Sequence, residues 1–145
     1  MDANSVQVGG THYKSEYQHW DFAVNVGMDY LASAASKYVS RWRNKNGVED
    51  LKKAKHYIEK LIEVSPLVLL RLQHCRPHTD YINAELIRFI RVNKLDLIEA
   101  QVCNTLALWT HTNQLRIACT GIQMLIDKTT ENTLLEDSNK HADRE

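Results

Sequence analysis

Glycine, proline and cysteine are all scarce here, at five, two and three of 145 residues. None of the five glycines (Gly9, Gly10, Gly27, Gly47 and Gly121) falls in a GxxxxGK[ST] arrangement, so the chain does not encode a standard phosphate-loop kinase. GxSxG and HExxH are missing too, which removes the nucleophile elbow and the helical zinc-protease motif. Cys75, Cys103 and Cys119 form no CxxC pair, and an odd number argues against a disulfide framework. Long apolar runs are also lacking: no stretch approaches the roughly 18 residues of a membrane span. The opening MDANSVQVGG has no basic-then-apolar signal, so the expected location is the cytoplasm, with no membrane partner.

What is present reads as helix. Apolar residues make up 43% and charged residues 25%, an ordinary globular balance that excludes global disorder. No alternating strand pattern competes anywhere, and the expected fold class is all-α. Residues 20–28 suggest a short helix ended near Gly27. Residues 29–43 carry an apolar stripe of Leu31, Ala34, Ala35, Tyr38 and Trp42, with Ser33, Lys37, Ser40 and Arg41 off it. The NKNG segment at residues 44–47 should turn the chain. A second helix over residues 48–64 follows, with the stripe Leu51, Ala54, Ile58, Leu61 and Ile62, and a connection this short implies an antiparallel αα-hairpin.

Ser65-Pro66 is read as a break, opening a short helix stopped at Arg76-Pro77. Three further helical patterns cover residues 80–92, 94–109 and 114–128, with Thr79 or Asp80, Asn93, and Thr112 or Asn113 as caps. Cys103 and Cys119 fall in these patterns as small core residues, whereas His74, Cys75 and His78 read as loop polar residues. From residue 129 onward the composition is polar and acidic, which predicts a disordered tail. The organisation is thus a hairpin region over residues 1–64, an added helical region packed on it over 65–128, and a tail over 129–145.

Net charge is zero, yet unevenly distributed. Residues 37–60 hold eight basic side chains against three acidic ones, and residues 127–145 hold six acidic against three basic. The basic excess suits an anionic ligand. Overall neutrality and the acidic tail do not suit a nucleic-acid groove, so small anions are the favoured partners.

The informative stretch contains QVGGTHYK, then HWDF, SKYVSRW and KNGVEDLKKAKHYIEKLIE, from Gln7 to Glu63. Its order and spacing resemble a family of short phage proteins described as nucleotide kinases. That family's pattern is a GG-x-HYK opening, an aromatic-acidic segment, a Gly-Asn-x-x-Lys-Tyr-x-x-Arg helix and a Lys-x-Gly-x-Glu-Asp-Leu-x-Lys-Ala helix. Ser33-Ala34 stands here where the family has Gly-Asn. Ala cannot make the hydrogen bonds of the Asn amide.

The resemblance implies phosphorylation of a nucleoside monophosphate, with ATP or another nucleoside triphosphate as donor. Mg is a conceivable companion that the sequence does not itself indicate. Lys37, Arg41 and Asp50 are the expected catalytic residues; His12, Tyr13, Lys14, Tyr38, Arg43, Lys45 and Lys53 are expected to bind nucleotide. These positions also make physical sense by themselves. Lys37 and Arg41 are four residues apart and share a helix face, so both cations can meet one phosphate chain. Asp50 and Lys53 lie in the first turn of the next helix, near its positive dipole end. His12, Tyr13 and Lys14 occupy a glycine-opened loop able to fold over the hairpin.

In this scheme Lys37, Arg41 and Lys53 hold phosphates, His12 and Tyr13 close the site, and Asp50 orients a cation or a water. The same basic pocket also suits a non-catalytic protein, such as a phage sponge that sequesters a host signalling nucleotide. A homo-oligomer is expected, because several amphipathic helices leave more apolar face than one short chain hides.

Overall fold

The computed structural model describes residues 2–9 and 15–142, and the fold is all-α. Its helices are α1 (His19–Asn25), α2 (Tyr30–Arg41), α3 (Val48–Cys75), α4 (Thr79–Asn93), α5 (Leu97–Leu108) and α6 (Thr112–Ala142). Short 3-10 turns occupy Ala3–Ser5 and Trp42–Asn44. Among the described residues, no helix is long and apolar enough to cross a membrane.

Local chemistry explains most helix ends. Gly27 follows α1 with φ +70°, and a Cβ there would stand 2.8 Å from Pro77 Cδ, so glycine is required both by conformation and by space. Asp29 caps α2, its carboxylate accepting from the backbone N–H of Leu31 at 2.8 Å and of Ala32 at 3.2 Å. The expected turn at residues 44–47 is present, with Gly47 at φ +58° leading into α3. His78 rather than Thr79 or Asp80 caps α4, its ring accepting from Asp80 N. Lys94, in the left-handed region at φ +54°, ends α4. Asp96, not Asn93, then opens α5 in a capping box with Glu99.

Three sequence expectations need correction. The Ser65-Pro66 break does not occur: α3 runs on to Cys75 with Pro66 inside it, so the boundary expected at residues 64/65 falls within one helix. Proline has no N–H to give the Ile62 carbonyl four residues back. The neighbouring Ser65 hydroxyl donates to that carbonyl at 2.9 Å and lies 2.9 Å from Thr112 Oγ1 at the start of α6.

Second, the buried face of α2 is Ala32, Ala35, Ser36 and Val39, about one residue round from the expected stripe. The helix is packed from two sides, by α3 and by α5, and this leaves Leu31 and Tyr38 at the margin. Third, residues 129–142 continue α6 instead of forming a disordered tail. Thr129, Thr130, Thr133 and Ser138 donate their hydroxyls to carbonyls four residues back along it. Ile126 is the last buried residue of this helix.

Packing follows from these faces. α2, α3, α6 and α5 touch in a closed cycle, which makes a four-helix core, while α1 joins α2 and α4, and α4 joins α5. Ala35, Leu51, Ala54, Ile58, Leu61, Leu106, Leu115 and Ile122 are buried in one continuous cluster. At its α1/α4 side, Phe22 stacks on Phe89 at 4.0 Å between ring centroids, and Tyr17 meets both edge-on. This aromatic junction brings the end of α4 beside α2 and so builds the wall of a cleft.

Candidate functional site

A cleft of about 860 Å³ opens beside α2. Val6, Gln7 and Val8 form one side, the approach to α1 (Ser15 to Trp20) another, α2 supplies Lys37, Ser40 and Arg41, and the end of α4 supplies Asn93 and Lys94. Among the described residues, three that line it are cations (Lys37, Arg41, Lys94) and one is an acid, Glu16. Because α2 buries Ala32, Ala35, Ser36 and Val39, its next face round, with Lys37 and Arg41 one turn apart, is turned to the cleft. Ala34 lies three and seven residues before these cations and therefore on the same side of the helix.

Asp50 supports this wall from behind. It is fully buried in the first turn of α3, 3.5 Å from Arg41 Nε, and it accepts from the Asn46 side-chain amide at 3.4 Å. The guanidinium of Arg41 also lies 4.8 Å above the Tyr38 ring. Asp50 thus positions Arg41 and does not itself face the cleft, so it cannot orient a cation or a water there.

His19 sits between the cations and the aromatic junction. Its Nε2 is 2.7 Å from Ser36 Oγ, and its ring meets Phe22 and Phe89 edge-on. The Ser36 hydroxyl donates to the Ser33 carbonyl at 3.0 Å. The same hydroxyl is 3.4 Å from Met28 Sδ, so which partner donates in the His19–Ser36 contact is set by the imidazole tautomer. Burial first, then the fields of Lys37 and Arg41, push the imidazole pKa down from 6.5 to about 4. A neutral ring therefore stands beside two cations at neutral pH. Nearby, both polar atoms of the Gln7 side-chain amide are buried with no hydrogen-bond partner among the described residues.

The other expected site residues distribute as follows. Tyr38 and Lys53 lie on the hairpin's other side, in a shallow depression of about 450 Å³ with Lys52, His56 and Tyr57. Tyr38 and Tyr57 stack at 5.8 Å, Tyr30 meets Tyr57 edge-on at 6.1 Å, and Lys53 pairs with Glu49 at 2.8 Å. Arg41 joins the two sides, since it lines the cleft and covers Tyr38.

Arg43, expected to bind nucleotide, is turned to α5 instead. It donates to Glu99 at 2.8 Å, pairs with Asp96 and lies over the Trp42 ring. Glu99 is only 3% exposed and also accepts from Trp42 Nε1 at 2.6 Å, so the buried carboxylate demands this cation. Lys45 is exposed in the α2–α3 turn and does not line the cleft. His12, Tyr13 and Lys14 lie outside the described residues.

Sequence reasoning passed over His19, Gln7 and Lys94. The first two fall inside the quoted QVGGTHYK and HWDF motifs, which gave a signal for their place but not their role. Lys94 comes from the region to which no role was assigned. Its position depends on the left-handed end of α4, and nothing in the local sequence pairs it with α2.

A family profile described as a protein of unknown function (DUF3310) matches residues 9–59. The matched segment contains α1, α2 and the first part of α3, hence Lys37, Arg41, His19 and Asp50, but not Lys94. No curated protein matches the chain, and no solved structure does.

Proposed function

We propose that the protein binds a nucleotide by its phosphates in the cleft and holds it without turnover. The carrying observation is the convergence of Lys37 and Arg41, one turn apart on α2, with Lys94 from the end of α4 around a cleft of about 860 Å³. Two fixed cations on one helical face make charge-assisted hydrogen bonds to one phosphate chain, and a third from the opposite wall neutralises its far side. Neutral His19 lines the cleft beside them and adds no further positive charge to this wall. The arrangement favours sequestration because Asp50, the one carboxylate expected to act in chemistry, is buried against Arg41. Ala34, on the cation face, further removes the amide of the phage kinase-like family pattern. A ligand in the host cytoplasm, if the chain is phage-encoded, is the corresponding setting.

One observation favours the second reading, nucleoside monophosphate phosphorylation. Ligand pockets span roughly 300–1,000 Å³, and this cleft lies near the top of that range, with room for donor and acceptor together. In-line positioning and charge neutralisation are what such transfer needs most.

The test is calorimetry across nucleoside mono-, di- and triphosphates, with mass spectrometry of any nucleotide that co-purifies. Binding should weaken by roughly tenfold or more in Lys37→Ala and in Arg41→Ala, the loss expected of a charge-assisted hydrogen bond. Unchanged affinity in both variants removes the cleft from the function. A multiple-turnover assay with ATP, run beside Ala34→Asn, separates the readings: diphosphate formed in proportion to wild-type protein refutes sequestration.

A further inference from the structure

α6 is 31 residues long, roughly 46 Å at 1.5 Å per residue, but its buried residues are Leu115, Ala118, Ile122, Leu125 and Ile126, all in the first half. Thr129, Thr130, Asn132, Thr133, Asp137, Ser138 and Asn139 in the second half are weak helix formers. A helical run of this length in water is marginal without packing. On the face opposite the buried one stand Ile117 (69% exposed), Met124 (57%) and Leu135 (64%), with Lys128, Glu131 and Ala142 in the same row.

We propose that two copies of this chain pair antiparallel through this row. The steps between Ile117, Met124, Lys128, Glu131, Leu135 and Ala142 are 7, 4, 3, 4 and 7 residues, the same read from either end. At 100° per residue all six fall within a strip about 60° wide. A two-fold axis between residues 129 and 130 then sets Lys128 against the second copy's Glu131, Met124 against its Leu135, and Ile117 against its Ala142. Each contact occurs twice, as an isologous interface requires. Opposite charges at the centre fix the register, flanking apolar pairs leave water, and the second half of α6 gains the packing that its own chain does not provide. A parallel pairing in register would instead oppose Lys128 to Lys128 and Glu131 to Glu131.

Sedimentation of the full chain tests this. A particle of twice the 16.8 kDa chain mass is expected at concentrations of about 0.1 mM and above. Leu135→Glu should yield single chains whose helices up to residue 127 keep their circular dichroism signal, because the side chain is exposed in the single chain, while the second half of α6 loses helix. Lys128→Glu and Glu131→Lys should each weaken association by roughly tenfold, since each puts two like-charge contacts at the axis. The double exchange Lys128→Glu/Glu131→Lys restores both pairs and should restore the wild-type constant. A wild-type protein that sediments as a single chain overturns the proposal. So does a dimer indifferent to Leu135→Glu, or one that the double exchange fails to rescue.

Discussion

Acidification sets the unfolded chain's readiness to protonate His19 against the folded protein's resistance to it. In the unfolded state the imidazole takes a proton near 6.5, whereas in the fold burial, aided by Lys37 and Arg41, holds the pKa at about 4. Above pH 6.5 both states carry a neutral ring and stability is unaffected by it. Between 6.5 and about 4 the unfolded state binds more protons, so stability falls as pH falls, and below about 4 the loss levels off. At about 1.4 kcal/mol per pH unit, the interval amounts to about 3 kcal/mol, a large fraction of a small domain's stability.

Urea unfolding of wild type and His19→Gln at intervals from neutral pH to pH 4 isolates the effect. Carboxylates titrate alike in both proteins, and the lost ring contacts to Phe22 and Phe89 add an offset that does not vary with pH. The wild-type curve should approach or cross the variant's by about 3 kcal/mol over this window. Direct titration of the imidazole by NMR should place it near 4 in wild type and higher in Lys37→Ala or Arg41→Ala, where one opposing charge is gone. A bound polyanion should raise it as well. A ring that titrates at 6.5 in the folded protein, or a difference curve flat with pH, would refute the argument.

Glu99→Ala strips Trp42 Nε1, Arg43 Nε and the Asp96 N–H of their shared acceptor and should cost about 2–4 kcal/mol in thermal or urea unfolding; a loss under about 1 kcal/mol would show that the clamp is not structural. Pro66→Ala returns an N–H to the Ile62 carbonyl and should stabilise by about 1–2 kcal/mol. Ser65→Ala, destabilising by about 1–2 kcal/mol in wild type, should cost less in the Pro66→Ala background, and equal costs in both would disprove the hydroxyl's substitute role. Gly27→Ala should lose about 2–3 kcal/mol, because φ +70° strains any side chain and the new Cβ meets Pro77; a neutral result would mean that the α3–α4 connection yields.

Much of the fold was legible in order. Apolar residues at helical spacing located α1, α2, α4, α5 and the first parts of α3 and α6, and NKNG announced the α2–α3 turn, because both signals are local. The expected row Leu51, Ala54, Ile58, Leu61 and Ile62 matches the core face of α3, with Ile62 only partly buried at its edge, because the buried face is a single stripe at this end. For α2 the stripe was misplaced by a residue, since burial from two sides, by α3 and α5, is a property of the assembly. Pro66 was read as a break because proline's cost inside a helix is local, while its remedy needs Ser65 placed between α3 and Thr112.

The site divided along the same line. Helical periodicity alone put Lys37 and Arg41 on one face, and the structure keeps them together in the cleft. It could not separate them from Arg43, which a buried Glu99 fifty-six residues later draws away. Nor could it distinguish a surface carboxylate from Asp50, sealed behind Arg41, or bring Lys94 across from α4. What the sequence by itself determined was secondary structure and the faces of single helices, which depend on neighbours within a turn or two. Which cations meet across the cleft, and which carboxylates are spent on holding the helices together, was decided only by tertiary packing, because desolvation and ion pairing depend on residues distant in the chain.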